Sequence, residues 1–298
     1  MRFRILTTTA GKTCLSRRGT CSTTSNASIP ACITARLPRC CAIRQDASSA
    51  VRAPVQLPAF QRAVFLSHVN DPATTPLFPG DPAFSIRTVF TVPDDGFYLE
   101  LVREGAHTGT HYSAPCHFHD GALCMDDLSP SDLVLPAVVV DVRDEVADDP
   151  DHLVRVADLR AWEDEFGQMP AGAAVLLLTG CSDFWARGDR DGDPNYFNCG
   201  TGMSGVHQPG FSRNAVRWLI RTGVLAKTGA LGTDTFGPDP SSDAEFLPTW
   251  LTLRRHRLTI ENMTNLDALP PTGAYVVLGS PRNRNGSGAP GTVFGLIP

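Results

Sequence analysis

Two short apolar runs constrain this chain most. Residues 135–140 read LPAVVV and residues 173–178 read AAVLLL. Neither run alternates with polar residues, so each reads as a strand buried on both faces. Between them lies VADLRAWEDEF (156–166), whose pattern is helical. A strand, a helix and a second two-sided strand make an α/β unit.

The rest of the text from about Leu57 extends that unit. AVFLSHVN is a short strand, and TPLFPGDPAF is a loop punctuated by Pro and Gly. FSIRTVFTV and GFYLELVRE alternate in strand fashion around the turn signal PDDG. SRNAVRWLIRTG predicts a helix with Ser212 as N-cap and Gly223 as its stop. ALGTDTFG reads as a strand and loop, LPTWLTLRRH as a helix and RLTIENM as a strand. GAYVVLGSP reads as the closing strand, with GDRDGDPN (188–195) and NRNGSGAPG (283–291) as polar loops.

The first 58 residues stand apart. Residues 1–45 hold no Asp or Glu, eight Lys or Arg, and five cysteines: Cys14, Cys21, Cys32, Cys40 and Cys41. That composition resembles an organellar transit peptide, or a start assigned upstream of the true one. The expectation is a leader over 1–58 and one catalytic domain over 59–298. The remaining cysteines, Cys116, Cys124, Cys181 and Cys199, are scattered and suit free thiols in a reducing cytoplasm. A formal net charge of −5 argues against a nucleic-acid partner and for a small-molecule substrate. No apolar run reaches the ~18–20 residues that cross a bilayer; the expectation of a cytoplasmic location rests on the scattered cysteines.

The chemistry concentrates in HTGTHYSAPCHFH (107–119), which holds four of the chain's eight histidines. Gly109, Pro115 and the β-branched Thr108 and Thr110 oppose a helix there. In an extended chain alternate residues share a face. His107, His111, Ser113 and His117 would then line one wall, while Cys116 and Phe118 point away unless Pro115 turns the chain. Clustered imidazoles hold metal or move protons. Phe78, Trp185, Tyr196 and Phe197 flank Pro/Gly loops and are candidates to shape an apolar pocket, with Phe78, Trp185 and His107 the expected substrate contacts.

HTGTHYSAPCHF resembles the H-x-G-T-H-x-D-x-P-x-H-F signature of the cyclase or kynurenine-formamidase-like metal hydrolases. The resemblance runs in order over about residues 62–298. It includes LSHVNDPATTPLFPGDPAF, LLLTGCSDFW, HQPGFSRNAVRWLIRTGVLAKTGALGTDT and RLTIENMTNLDALPPTGAYVVLGSP. It implies a single-domain swivelling β/β/α fold, with a central mixed, barrel-like sheet flanked by helices, in a homodimer or homotetramer. It also implies His107 and His111 as metal ligands, His117 as acid/base and Glu261 as a further ligand. Two of the family's ligand positions are altered. Ser113 fills the place of the bridging Asp, and Thr249 fills the place of a His twelve residues before Glu261. His256, five residues before Glu261, is not counted as its replacement.

Hydroxyls are poor substitutes for carboxylate and imidazole as ligands. The reading is therefore acid–base catalysis by His111, His117 and Glu261, with Ser113 and Thr249 as hydrogen-bonding groups, and no cofactor. The substrate would be a cyclic or cyclisable carbonyl compound that undergoes cyclisation, dehydration or lactone opening. The alternatives are an arylformamidase-type hydrolase with one Zn or Mn on His107, His111 and Glu261, and a ligand-binding homologue without activity.

Overall fold

A computed structural model describes residues 59–185 and 194–298. The expected leader with its five cysteines, and most of the GDRDGDPN loop, lie outside the described residues.

In chain order the strands are β1 (Arg62–Phe65), β2 (Ser85–Phe90), β3 (Leu99–Arg103), β4 (His111–Ser113), β5 (Val134–Asp141), β6 (Leu153–Val154) and β7 (Ala174–Leu178). They continue as β8 (Gly210–Phe211), β9 (Ala230–Thr233), β10 (Leu258–Glu261), β11 (Thr272–Gly279), β12 (Gly288–Pro290) and β13 (Thr292–Ile297). Nine of them form one mixed sheet in the order β1-β13-β11-β5-β7-β9-β10-β4-β12. Its centre, β5, β7, β9 and β10, is parallel. Both wings are antiparallel: β11, β13 and β1 on one side, β4 and β12 on the other.

The two apolar runs are β5 and β7, neighbours in that parallel centre. Alternation sorts their side chains between two cores. Leu135, Ala137, Val139, Leu176 and Leu178 pack with Tyr112, Ile260 and Val276. Val138, Val140, Val175 and Leu177 pack on the opposite face with Leu159, Trp162, Phe211 and Leu219. Each fully buried aliphatic side chain is worth roughly 1.5–3 kcal/mol, so a run apolar on both sides is driven to the middle of the sheet.

Helices supply the second core. The helix Val156–Phe166 buries Leu159 and Trp162, and the Trp162 indole N–H donates to the Val139 carbonyl at 2.8 Å. The helix Arg213–Thr222 starts as expected, with Ser212 Oγ accepting from the Ala215 N–H at 3.1 Å. It stops at Gly223, whose φ of 89° is left-handed and suits glycine.

Two expectations need correction. GAYVVLGSP becomes β11 but does not close the sheet, because β12 and β13 follow it. NRNGSGAPG is a loop only in its first half; Gly288–Pro290 pair with β4. Separately, β2 and β3 form their own hairpin. Every residue of both strands is exposed, including Ile86, Phe90, Leu99 and Val102.

Candidate active site

The HTGTHYSAPCHFH stretch is extended only over β4 (His111–Ser113). It enters through bends, and it leaves through a single 3-10 turn, Pro115–His117. β4 lies between β10 and β12, and its register puts His111 opposite Glu261 and Ser113 opposite Thr259. Opposed residues of an antiparallel pair share a face. His111 Nε2 therefore lies 3.4 Å from Glu261 Oε2.

The expected wall of three imidazoles forms, but by folding rather than by simple alternation. The His107 ring meets His111 edge-on at 5.0 Å and stacks on His117 at 4.0 Å. Pro115 does turn the chain, so Phe118 faces the same cavity instead of pointing away. Two glycines make this approach possible. Gly109 has a φ of 63°, and a Cβ on it would sit 2.1 Å from Asn70 Oδ1. A Cβ on Gly288 would lie 2.7 Å from His107 Cε1.

Each imidazole has a defined setting. His107 Nδ1 faces Ser113 Oγ at 3.3 Å and its Nε2 faces Ser287 Oγ at 3.0 Å. Burial, with His111 and His117 close by, pushes its pKa down to about 3. The His111 Nδ1–H donates to the Gly109 carbonyl at 2.9 Å, which directs Nε2 at Glu261. Burial opposes charge on His111, but the Glu261 carboxylate outweighs it and raises its pKa. Glu261 is likewise resisted by burial, yet His111 and the Thr259 hydroxyl (2.8 Å) hold its pKa below the ordinary value. His117 is lowered by burial, against the pull of Glu261.

These groups sit at the carboxyl ends of β9 and β10, where open α/β sheets place their ligands. A cavity of about 370 Å³ opens there. It is lined by His107, His111, His117, Glu261, Thr249 and Phe78 among the residues named above, together with Tyr196 and Phe197. Trp185 is not among the lining residues. It stacks on His68 at 4.1 Å and meets the ring of Tyr196 edge-on at 5.0 Å, one layer behind the wall. His256 pairs with Asp132 at 2.9 Å, away from the cavity lining.

Sequence reasoning missed several lining residues, chiefly Asp81, Phe236, Asp239, Phe246 and Asn262. Asp239 matters most. Its carboxylate accepts from the Thr249 N–H at 2.9 Å and from Thr249 Oγ1 at 2.5 Å. Burial pushes its pKa up to about 7, against those two bonds. Asp81, in the FPGDP loop, is also raised by burial, with His111, Glu261 and His117 close enough to influence it. Asn262, with a φ of 55°, donates from Nδ2 to the Gly109 carbonyl at 2.8 Å and accepts from the Tyr196 hydroxyl at 2.7 Å.

The cysteines overturn the free-thiol expectation. Cys116 is bonded to Cys124, and Cys181 to Cys199. The first bridge ties the turn that carries His117. The second ties the segment behind Tyr196 and Phe197.

The residues present do not fit a two-metal centre. Ser113 and Thr249 offer neutral hydroxyls, and both are turned to protein partners, His107 and Asp239. The set His107, His111 and Glu261 does not gather into a metal-holding group. Among the described residues, no three His, Cys, Asp or Glu side chains do so.

Comparison with known proteins places this geometry in a family. The family described as "Putative cyclase" matches residues 64–240. Isatin hydrolase of Roseibium aggregatum is 30% identical over 226 residues, covering 73% of this chain and 82% of that protein. Isatin hydrolase A from Ralstonia solanacearum superposes with a TM-score of 0.68 at 30% identity, covering 80% of this chain and 92% of that one. An isatin hydrolase bound to the product analogue thioisatinate gives a TM-score of 0.70 at 26% identity, over 79% and 92%. The chain belongs to the cyclase family.

Proposed function

We propose that this cyclase-family chain is a hydrolase that opens a cyclic amide or lactone beside an aromatic ring. It uses acid–base catalysis by its own side chains. The carrying observation is the His111–Glu261 pair (3.4 Å) meeting the stacked pair His107–His117 (4.0 Å) in one aromatic cavity. The isatin hydrolases support the choice of a ring-opened carbonyl compound over cyclisation or dehydration.

The roles follow from the pKa directions. His117 is neutral near pH 7, because burial lowers its pKa, and so is available as a base. It takes a proton from a water as that oxygen bonds to the carbonyl carbon. His111, whose charged form Glu261 favours against burial, donates a hydrogen bond to the oxygen that becomes negative. The C–N or C–O ring bond then breaks. His117 returns its proton to the leaving atom, and the acid formed loses its own proton to solvent. His107, kept neutral between Ser113 and Ser287, holds His117 by stacking.

The test is turnover of isatin and of aryl lactones by the purified chain. Ring opening that is lost in His117→Ala supports the reading. Wild-type protein with no activity on any such ring counts against it.

A further inference from the structure

The hairpin of β2 and β3 is formed but uncovered. It makes a two-stranded sheet of its own, apart from the nine-stranded one. Nine large apolar side chains between Ile86 and Val102 are 38–60% exposed, half of the eighteen such side chains among the described residues. The exposed apolar surface is therefore concentrated rather than scattered. Both faces of the hairpin carry it. Ile86 lies opposite Val102, and the next pair, Arg87 and Leu101, points to the other side. Within the hairpin Phe90 meets Phe97 at 5.1 Å, and the Thr88 and Tyr98 hydroxyls lie 3.4 Å apart.

The roots, in contrast, are packed. Phe84 is buried just before β2, and Gly105 just after β3. A Cβ on Gly105 would lie 3.2 Å from Pro82 Cδ, and the Gly105 N–H donates to Thr108 Oγ1 at 3.0 Å. The body between these roots is an arm with two apolar faces.

Such an arm needs a cover. An isolated two-stranded hairpin is marginal in water, and a soluble monomer rarely exposes one apolar patch larger than a few hundred Å². Side chains of this size, about half exposed, present on the order of 800 Å² here. That is one partner's share of a standard interface, and two copies exchanging arms would bury on the order of 1,600 Å². The charges on the segment suit a second copy as well. Arg87 and Arg103 stand with Asp94, Asp95 and Glu100, so a two-fold contact can set one copy's arginines against the other's carboxylates. A patch that is always open needs a partner that is always present, and another copy of the chain meets that condition.

We infer that the chain forms a two-fold dimer in which the β2–β3 hairpin of each copy clasps the other. This holds whatever reaction the cavity performs. Asp81 lies four residues before β2 and His107 four residues after β3, and both line the cavity. The clasp therefore also braces the two loops that carry them.

Sedimentation velocity on the full-length protein at micromolar concentration tests the dimer, with a mass near twice the 32.0 kDa of one chain expected. Ile86→Glu and Leu101→Glu, one on each face of the hairpin, should each raise the dissociation constant at least about tenfold with unchanged circular dichroism. Hydrogen–deuterium exchange of the unaltered protein gives a second reading that needs no variant to fold. A clasped arm exchanges slowly over residues 85–103, and a free one exchanges fast. A single-chain mass overturns the inference, and so does a dimer that neither substitution weakens. Fast exchange over 85–103 overturns it too. Slow exchange there in a monomer assigns the cover to this chain's own residues, such as 1–58, and overturns it equally.

Discussion

His111 and Glu261 are register partners on neighbouring antiparallel strands, and their side chains meet at 3.4 Å over the floor of the cavity. The sheet itself sets this pairing. Glu261 ends the last parallel strand, and β4 runs back beside it. The Nδ1 of His111 is committed to the Gly109 carbonyl, so only Nε2 is free to exchange a proton with the cavity.

His117 is the base in this account. His117→Ala should lower kcat by about 10²–10⁴-fold, the usual worth of a positioned general base. The far-ultraviolet circular dichroism should not change, since His117 lies in a short turn at the cavity rather than in the core. Steady-state kinetics on the ring-opened substrate would show this. An unchanged kcat would remove His117 from the mechanism.

The pH profile of kcat should be a broad bell. Its acid limb reports deprotonation of His117, below the ordinary histidine value of 6.5, and its alkaline limb reports His111, above 6.5. Glu261→Gln removes the charge that raises His111, so the alkaline limb moves to lower pH while the acid limb moves less. The stability sign is fixed by the same shifts. His111, raised on folding, adds stability that is complete below its unfolded value and lost as pH rises through its folded one. Glu261, depressed on folding, adds stability present above its unfolded value and lost as pH falls through its folded one. Urea unfolding at several pH values reads both.

The Cys116–Cys124 bridge holds the turn that presents His117. Peptide mapping without reductant should recover Cys116 linked to Cys124, and Cys181 linked to Cys199. Cys124→Ser should cost about 2 kcal/mol of stability, the low end for a lost bridge. It should also reduce kcat more than it raises KM, because the base loses its support while the aromatic wall stays. Four free thiols at these positions would contradict the bridges.

Much of the fold was legible because it rests on local patterns. LPAVVV and AAVLLL became the two central strands, and Ser212 caps its helix, each for a reason visible within a few residues. β12 was not legible. Gly288 reads as loop, yet glycine is what lets the His107 ring approach. The site was legible in part. The three histidines were expected on one face by strand alternation, but they converge through a turn at Pro115. Trp185 carries the same local signal as Phe78, and only tertiary packing on His68 places it behind the wall. Asp239 gave no signal at all. Its role comes from folding back onto Thr249, in a helix that follows it.

The substituted ligand positions can be restored. Ser113→Asp with Thr249→His should raise affinity for zinc, measured by isothermal titration, if these two positions are the family's missing ligands. Ser113 already faces the cavity histidine His107, and Thr249 lines the cavity. Each single variant should gain less than the pair. No gain in the double variant, with the fold intact, would show that the two positions do not correspond to ligands.

The most direct test of side-chain acid–base catalysis is metal content and turnover on one preparation. Protein purified without added metal would be dialysed against a chelator, analysed by inductively coupled plasma mass spectrometry, and assayed on isatin. Catalysis by side chains alone gives well below one equivalent of any transition metal and an unchanged kcat after chelation. About one equivalent of zinc or manganese that resists dialysis, with activity lost on stripping and restored on return of the ion, would contradict it.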